Sequence, residues 1–234
     1  MQELSKYSHP ALAVDIVALC VRDAGLHCLL IRRVDIDVVG GDWALPGAFV
    51  HKGQPLEEAI GRAAQTKAGI GDLHLEQLAV YGDPGRDPRG HVVSIAWLAI
   101  APEAAFRSRM AARHDLTLAR VQMDENHTFR AIVTDEAGAP MRLAFDHEAI
   151  LADAVRRLRA RIEYGPVGFA FLPKRFTLRD VQEVHEVVLG RSLAKPAFRR
   201  KLLDHHPLRA TGEHETGHAF RPAEFYELDG DSQS

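Results

Sequence analysis

The segment at residues 47–70, GAFVHKGQPLEEAIGRAAQTKAGI, constrains the fold of this 234-residue chain most, because it specifies a loop, a helix and a helix stop together. Pro55 stands where a first helical turn tolerates proline, and the two glutamates that follow it suit the positive end of a helix dipole. Gly69 is the residue type that most often ends a helix in the left-handed conformation. The segment therefore predicts a helix from about Pro55 to Ala68.

The same segment resembles a Nudix box, the loop and helix that bind divalent metal in Nudix hydrolases. The positions that match the box are Ala48, Gln54, Arg62, Gly69 and Ile70. This alignment puts Ala63, Thr66 and Lys67 where active members carry glutamates. Their spacing of three and four residues predicts one shared helix face, but a methyl group, a hydroxyl and a cation cannot replace hard oxygen ligands. The resemblance therefore implies a box without a metal site and without catalytic residues.

The first half of the chain also contains β-prone segments. Apolar runs at 13–21 and 26–32 flank Asp23-Ala24-Gly25, which is a typical hairpin composition. Further strands are predicted at 78–81 and 92–100, and residues 101–142 are compatible with a helix and a hairpin that turns at 135–140. Together with the box helix, these strands predict an α+β fold.

The second half is predicted to contain three helices and a hairpin. Helical spacing of apolar residues begins at Asp146 and ends before Gly165. Thr177 is a good N-cap for a helix at 178–189, and a third helix runs to about His205. An alternating segment at 209–228 follows. Two helices joined by a glycine-containing turn and followed by a hairpin are the order of a winged helix-turn-helix.

The resemblance extends beyond the box, through motifs spread over nearly the whole chain. They are Arg32-Arg33, Trp43-Ala44-Leu45-Pro46-Gly47, Gly82-Asp83-Pro84, Arg86-Asp87-Pro88-Arg89-Gly90, Ala144-Phe145-Asp146-His147, Phe176-Thr177-Leu178 and Arg221-Pro222-Ala223. With these motifs the chain resembles the Nudix-related transcriptional regulators of NAD metabolism (NrtR family). The resemblance implies a mixed Nudix sheet with flanking helices at residues 1–155 that senses ADP-ribose or a related nucleotide. It also implies a winged helix-turn-helix domain at 160–228 that binds double-stranded operator DNA as a homodimer.

Cations and an aromatic residue near the box are the predicted effector contacts. They are Arg32, Arg33, Trp43, Lys67, Arg86 and Arg89. Arginines meet phosphates through two parallel hydrogen bonds, and the indole of Trp43 offers a stacking face. We further expect the ammonium of Lys67 to take the place of the metal, so that effector binding needs neither Mg²⁺ nor a cofactor.

A second set of residues is predicted to bind DNA. They are Lys174, Thr177, Lys195, Arg199, Arg200, Lys201, Arg209, His218 and Arg221. Four of these cations fall within seven residues of the third helix, the expected recognition helix, and we expect Arg199 to read bases and Lys201 to hold a phosphate. Two such helices in a dimer predict an imperfect palindrome as the operator. The H-E-x-x-H pattern at 214–218 is not read as a zinc site, because nearby glycines and Pro222 oppose a helix.

Composition narrows the function classes. Residues 1–150 hold 15 basic and 20 acidic residues, whereas residues 151–234 hold 14 and 12, which permits a nucleic-acid surface in the second half. No apolar run is long enough for a membrane helix, and Cys20 and Cys28 are predicted to be core thiols, so a soluble, cytoplasmic protein is expected. Two alternatives stay open at this point. One is an active hydrolase of ADP-ribose or another nucleoside diphosphate, with a dimerising second domain, and the other is a regulator that senses a sugar.

Overall fold

The computed structural model describes residues 9–34, 41–70, 73–124, 130–216 and 222–229. In its first part the strands and helices are β1 (Ala11–Arg22), β2 (Gly25–Arg32), β3 (Trp43–Ala44), β4 (Gly47–Phe49), α1 (Leu56–Arg62), β5 (Leu75–Tyr81), β6 (Val92–Ile100), α2 (Ala104–Met110), β7 (Leu116–Met123) and β8 (Ala131–Thr134). The strands form one sheet in the order β5-β6-β1-β2-β7-β8, in which β1 and β6 are parallel and the other neighbours in this order are antiparallel. β3 pairs with β2, and β4 pairs with β1.

The predicted hairpin at the start of the chain is confirmed. Arg22 pairs with Gly25, so Asp23 and Ala24 are the turn residues, and both have positive φ, at 46° and 49°. Two successive residues at positive φ form the primed turn, whose twist matches that of the flanking strands. The strands predicted at 78–81 and 92–100 and the helix in 101–142 are also present, as β5, β6 and α2. β7 and β8 form an antiparallel pair that is connected between Met123 and Ala131, so the turn predicted at 135–140 is not the turn of this hairpin. That turn follows β8, where Thr134 and Pro140 form an isolated antiparallel bridge.

The sheet separates two hydrophobic layers, because successive side chains of a strand point to opposite faces. Val14 and Ile16 of β1 pack in the layer that contains the box helix α1. Val17 and Leu19 pack in the other layer, against α3 (His147–Ile162). The box and α3 therefore lie on opposite faces of one sheet.

The predicted helix of the box is confirmed, but its second half has a different geometry. After α1 the chain continues as a π-helical segment, Ala63–Ala68, and Gly69 ends it in the left-handed conformation with φ of 66°. A π-helical turn is wider than an α-helical turn. Ala63 is buried in the core while Thr66 and Lys67 are exposed, so the prediction that the three residues share one helix face is wrong.

The second part of the chain has the predicted order of helices and strands. After α3 and a 3-10 helix (Pro166–Phe171) come β9 (Phe176–Thr177), α4 (Leu178–Leu189), α5 (Lys195–His205), β10 (Leu208–His214) and β11 (Glu224–Leu228). α4 and α5 form the helix-turn-helix, and β9 to β11 form a small antiparallel sheet. We call β10, β11 and residues 215–216 between them the wing.

The two parts share a hydrophobic core. Val184 and Val188 of α4 and Phe171 belong to the same buried cluster as Leu151 and Leu158 of α3 and the sheet strands behind them. α3 is thus packed between the sheet and the helix-turn-helix. A shift of α3 would therefore disturb its packing against both of them.

Cys20 and Cys28 are free and buried, as predicted, and burial raises the pKa of the Cys20 thiol to about 12. Over the described residues, the helices are too short or too polar to cross a bilayer.

Candidate effector site and DNA-binding surface

A buried polar network lies where β1, β6 and the start of α3 meet. Asp15 of β1 is its centre, and the hydroxyl of Ser94 on β6 donates to the Oδ2 atom of Asp15 at 2.5 Å. Gly47 lies so close to β1 that a Cβ atom there would be 2.7 Å from the backbone carbonyl oxygen of Val14 and 2.3 Å from Oδ1 of Asp15. A glycine is therefore required at the entry of the box loop.

Arg86 joins this network to α3. Its Nε and Nη2 atoms donate to the two carboxylate oxygens of Asp146 at 2.8 and 2.6 Å, and Nη2 lies 3.7 Å from Oδ2 of Asp15. Asp146 is the N-cap residue of α3. The predicted effector residue Arg86 is consequently buried, with its fork already filled by carboxylates, which makes it a positioning residue for α3 in this conformation.

His147, the first residue of α3, completes the network. Burial lowers its pKa, so the ring is neutral near pH 7. Its Nδ1 atom accepts a hydrogen bond from the backbone N–H of Leu45 at 3.0 Å, and its Nε2 atom lies 3.7 Å from Oδ1 of Asp15. The loop before the box and the start of α3 are thereby tied to the same carboxylate.

An aromatic and cationic surface covers this network. Phe145 adopts φ of 58°, an uncommon conformation for an aromatic residue, and its ring lies under the guanidinium groups of Arg33 and Arg89 at 5.0 and 5.3 Å. Arg89 also lies 5.5 Å from the ring of Phe49, a residue that is 43% exposed. We call these four residues the Phe145 surface. Aromatic faces beside guanidinium groups suit a base and a diphosphate.

Two predicted effector residues lie at β2 and β3. Arg32 is exposed at the end of β2 and pairs in register with Trp43. The indole of Trp43 is half-buried, packs against the core and lines a cleft of about 530 Å³ with Thr117 and Met141.

Lys67 lies at the C-terminal end of the box helix. Arg113 donates to the carbonyl oxygens of Thr66 and Lys67 at 2.7 and 3.0 Å. Arg113, and to a smaller extent Lys67, lowers the pKa of Asp115. The structure therefore gathers Arg33, Arg86 and Arg89 around Phe145 and Asp146, and it gives Lys67 a carboxylate neighbour of its own.

Hydrogen bonds join the box loop to the box helix. Arg62 donates through Nη2 to the carbonyl of Phe49 at 2.8 Å and to Oε1 of Gln54 at 3.2 Å. The hydroxyl of Thr66 donates to the carbonyl of Arg62 at 2.7 Å. A buried methyl group, an occupied hydroxyl and an ammonium do not fit a divalent cation, and the described residues hold no group of three or more His, Cys, Asp or Glu side chains that could bind one.

The second candidate site is the recognition helix α5. Lys195 and Arg200 are exposed, and Arg199 is half-buried beside Tyr226 of the wing. Burial raises the pKa of Tyr226, and the nearby guanidinium of Arg199 opposes part of this rise. Within the described ranges, none of these three cations takes part in an ion pair.

Two predicted DNA contacts have other partners. Lys201 donates through Nζ to the carbonyl of Glu163 at 3.0 Å and lies over the ring of Tyr164 at 5.2 Å, so it faces the end of α3. Thr177 is 1% exposed, because its hydroxyl accepts from the N–H of Asp180 in a capping box. Its side chain is therefore unavailable to a phosphate in this conformation.

The remaining predicted contacts lie around the wing. Lys174 is exposed before β9, and Arg209 is exposed on β10 and pairs with Glu227. His218 and Arg221 lie outside the described residues. His214 ends a strand, so this part of the H-E-x-x-H pattern is extended, in agreement with the prediction.

Sequence reasoning missed Asp15, Ser94, Phe49 and Phe145 near the effector surface. Asp15 gave one usable signal, because an acidic residue inside an apolar strand needs a buried partner. On the winged half it missed Arg175 and Arg179, whose side chains are exposed and paired with wing carboxylates.

Comparison with known proteins finds a matching family for each of the two parts of the chain. Residues 10–153 match the NUDIX domain, and residues 168–228 match the NrtR DNA-binding winged helix domain. The chain is 32% identical over 224 residues, 95% of its length, to the ADPR responsive transcriptional repressor NtrR of Acinetobacter baylyi, of which it covers 83%. It is 34% identical over 150 residues to the ADP-ribose pyrophosphatase of Methanocaldococcus jannaschii, a match that covers 64% of this chain and 76% of that protein.

Among solved structures, the chain resembles Shewanella oneidensis NrtR complexed with a 27mer DNA, with a TM-score of 0.75, 30% identity and 93% of each chain covered. The predicted fold, a mixed α+β Nudix domain followed by a winged helix, is confirmed. Because the matches extend over both domains and nearly the whole length, this chain belongs to the NrtR family of Nudix-related regulators.

Proposed function

We propose that this protein is a transcriptional repressor of NAD-metabolism genes that binds operator DNA through α5 and the wing and releases it when ADP-ribose binds the Nudix domain. The similar Acinetobacter repressor is named for its response to ADPR, and the similar Shewanella protein was crystallised with DNA. The observation that carries the proposal is the position of α3, whose first turn meets the candidate effector surface and whose last turns meet the DNA-binding domain.

α3 supplies a route between the two sites. At its start, Arg86 holds the N-cap residue Asp146. Near its end, Nε of Arg159 donates to the carbonyl of Val188 in the last turn of α4 at 2.8 Å, and this carbonyl has no partner within an ordinary helix. A ligand that moves the Phe145 surface therefore acts on a helix against which α4 packs.

ADP-ribose suits the Phe145 surface chemically. Arg33 and Arg89 bring guanidinium charge to the position of a diphosphate, and the exposed ring of Phe49 offers a face to the adenine. Arg89 is paired with Asp87 at 2.7 Å, but unlike the buried Arg86 its side chain is 45% exposed and so remains accessible to a ligand. A neutral sugar has no charge for these arginines, which disfavours the sugar alternative. Arg32, Trp43 and Lys67 remain predicted contacts of the same effector.

Operator binding by a homodimer is part of the proposal. A two-fold pair of α5 helices reaches major grooves separated by about one duplex turn or a multiple of it, so the operator is expected to be an imperfect palindrome.

The proposal includes loss of hydrolysis, because Ala63, Thr66 and Lys67 do not supply metal ligands. The likeness to an ADP-ribose pyrophosphatase favours hydrolysis as a second candidate function. The two are separated by incubating the protein with ADP-ribose and Mg²⁺ and measuring AMP. Turnover of about 1 s⁻¹ or faster, within the ordinary enzyme range, would establish the hydrolase.

The repressor function is tested by fluorescence anisotropy with DNA from upstream of the chain's own gene and its neighbours. We expect binding to one palindromic site and its release by ADP-ribose but not by AMP or free ribose, in the presence or absence of Mg²⁺. Replacing Lys67 with alanine should weaken ADP-ribose binding and make it respond to Mg²⁺. Release by a neutral sugar instead of ADP-ribose would contradict the effector assignment.

A further inference from the structure

Two groups of cations in the winged helix domain have different surroundings. In the part of the chain that the structure describes, Lys195, Arg199 and Arg200 of α5 form no ion pair. The arginines around the wing are instead paired with carboxylates. These wing pairs join Arg175 to Glu213 and Glu227, Arg179 to Glu215, and Arg209 to Glu227.

One carboxylate joins two of these arginines. Oε1 of Glu227 lies 3.2 Å from Nε of Arg175, and its Oε2 lies 2.5 Å from Nη2 of Arg209, which is directly opposite on the neighbouring strand. Arg175 also reaches Oε2 of Glu213 at 2.8 Å. Two positive and two negative charges therefore form one neutral cluster.

The third arginine lies next to the helix-turn-helix. Arg179 is the second residue of α4, and its Nη2 atom lies 2.7 Å from Oε1 of Glu215, beyond the end of β10. The pair thus bridges the start of α4 and the wing, two elements that flank a recognition helix in a winged domain.

The burial of the partners is unequal. The arginine side chains are 55%, 56% and 59% exposed for Arg175, Arg179 and Arg209, whereas Glu215 and Glu227 are 18% and 12% exposed. The guanidinium groups face solvent, and the carboxylates of Glu215 and Glu227 lie beneath them, whereas Glu213 is 56% exposed and meets Arg175 at the surface. Exposed ion pairs add little to stability, so the main physical effect of these carboxylates is on the electric field outside the wing.

We propose that Glu213, Glu215 and Glu227 form an electrostatic screen that neutralises Arg175, Arg179 and Arg209 and thereby weakens binding to non-operator DNA. Attraction to DNA is then concentrated on α5, which reads base edges. The inference rests on the proposed DNA-binding function and assigns three carboxylates as its specificity determinants.

The screen has a measurable consequence. The logarithm of DNA affinity falls with the logarithm of salt concentration, with a slope of about −0.9 for each phosphate that a cation neutralises. Three arginines freed from their carboxylates would steepen the slope by up to about 3 per subunit. Operator specificity, the ratio of operator to non-operator affinity, would fall.

The test uses the full-length triple variant Glu213→Gln, Glu215→Gln, Glu227→Gln and a random-sequence duplex. We expect at least about tenfold tighter binding at 50 mM salt than for the unmodified protein, together with the steeper slope. The control is Glu57→Gln, Glu58→Gln, Glu183→Gln, which changes the net charge equally at exposed sites away from the wing. The control should change the slope by less than about 1.

A double-mutant cycle isolates one pair. Arg179→Gln should hardly change non-operator affinity in the unmodified protein but should lower it about threefold in the Glu215→Gln background. The single variant Glu215→Gln keeps the other ion pairs intact, so the cycle can be measured even if the triple variant fails to fold. If the triple variant and Glu215→Gln both kept the non-operator affinity and salt slope of the unmodified protein, the screen would be overturned, even if the protein bound its operator. Absence of operator binding by the unmodified protein would instead overturn the proposed function.

Discussion

In the Nudix domain Arg86 is buried between the carboxylates of Asp146 and Asp15, whereas in the winged domain the side chain of Arg175 is 55% exposed and is paired with Glu213 and Glu227. Both are arginines with two acidic neighbours. A buried charge that loses its partner is strongly destabilising, whereas an exposed pair contributes little to folding. Burial therefore decides whether such an arginine affects mainly the free energy of unfolding or mainly the electrostatic potential at the surface where a ligand binds.

The largest expected effect is on stability in the Nudix domain. Arg86→Ala leaves two carboxylates in a buried network without their cation, so we expect the free energy of unfolding to fall by about 3–5 kcal/mol. The matched change Arg175→Ala should cost less than about 1 kcal/mol. Urea denaturation of both variants measures the difference, and equal losses would abolish the distinction between the two regions.

The next effect is on operator affinity. Replacing Lys195, Arg199 and Arg200 together with alanine removes unpaired cations from α5 and should weaken operator binding about a hundredfold or more at physiological salt. Lys201→Ala should cost much less, because its ammonium is bound to the carbonyl of Glu163. If Lys201→Ala alone matched the triple variant, the orientation assigned to α5 would be wrong.

A smaller effect is expected at the Phe145 surface. Arg89→Ala removes one guanidinium that lies over the rings of Phe49 and Phe145, and ADP-ribose affinity should fall about tenfold, the loss expected for one charge-assisted contact. The control is Arg107→Ala, which removes an exposed arginine paired with Glu103 on α2. Calorimetry that gave both variants the same affinity would remove Arg89 from the site.

The smallest effect is on the pH dependence of stability. Burial lowers the pKa of His147 and of His185, so the unfolded chain takes up protons at a higher pH than the folded one. Stability should therefore fall as the pH drops below about 6.5, by at most about 1.4 kcal/mol per pH unit for each histidine. Urea denaturation between pH 7.5 and 5.5 measures this slope, and His147→Gln should reduce it. A slope of zero would contradict neutral buried histidines.

Local patterns predicted the hairpin at 13–32, the end of the box helix at Gly69 and the cap at Thr177, because each depends on residues close in sequence. They did not predict that Arg86 is buried, since its partner Asp146 is sixty residues away. They also did not predict the π-helical geometry that separates Ala63 from Thr66. Arg175 and Arg179 were missed because their carboxylate partners, Glu213 and Glu215, are more than thirty residues away in sequence.

In the proposed function, the binding of ADP-ribose to the Nudix domain and the binding of DNA to the winged domain are coupled through α3. Linkage requires that two coupled ligands weaken each other by the same factor. We therefore propose calorimetric titration of ADP-ribose into the free protein and into the protein saturated with operator. We expect the operator to lower ADP-ribose affinity by the same factor by which ADP-ribose lowers operator affinity. Equal ADP-ribose affinities in the two titrations would contradict it.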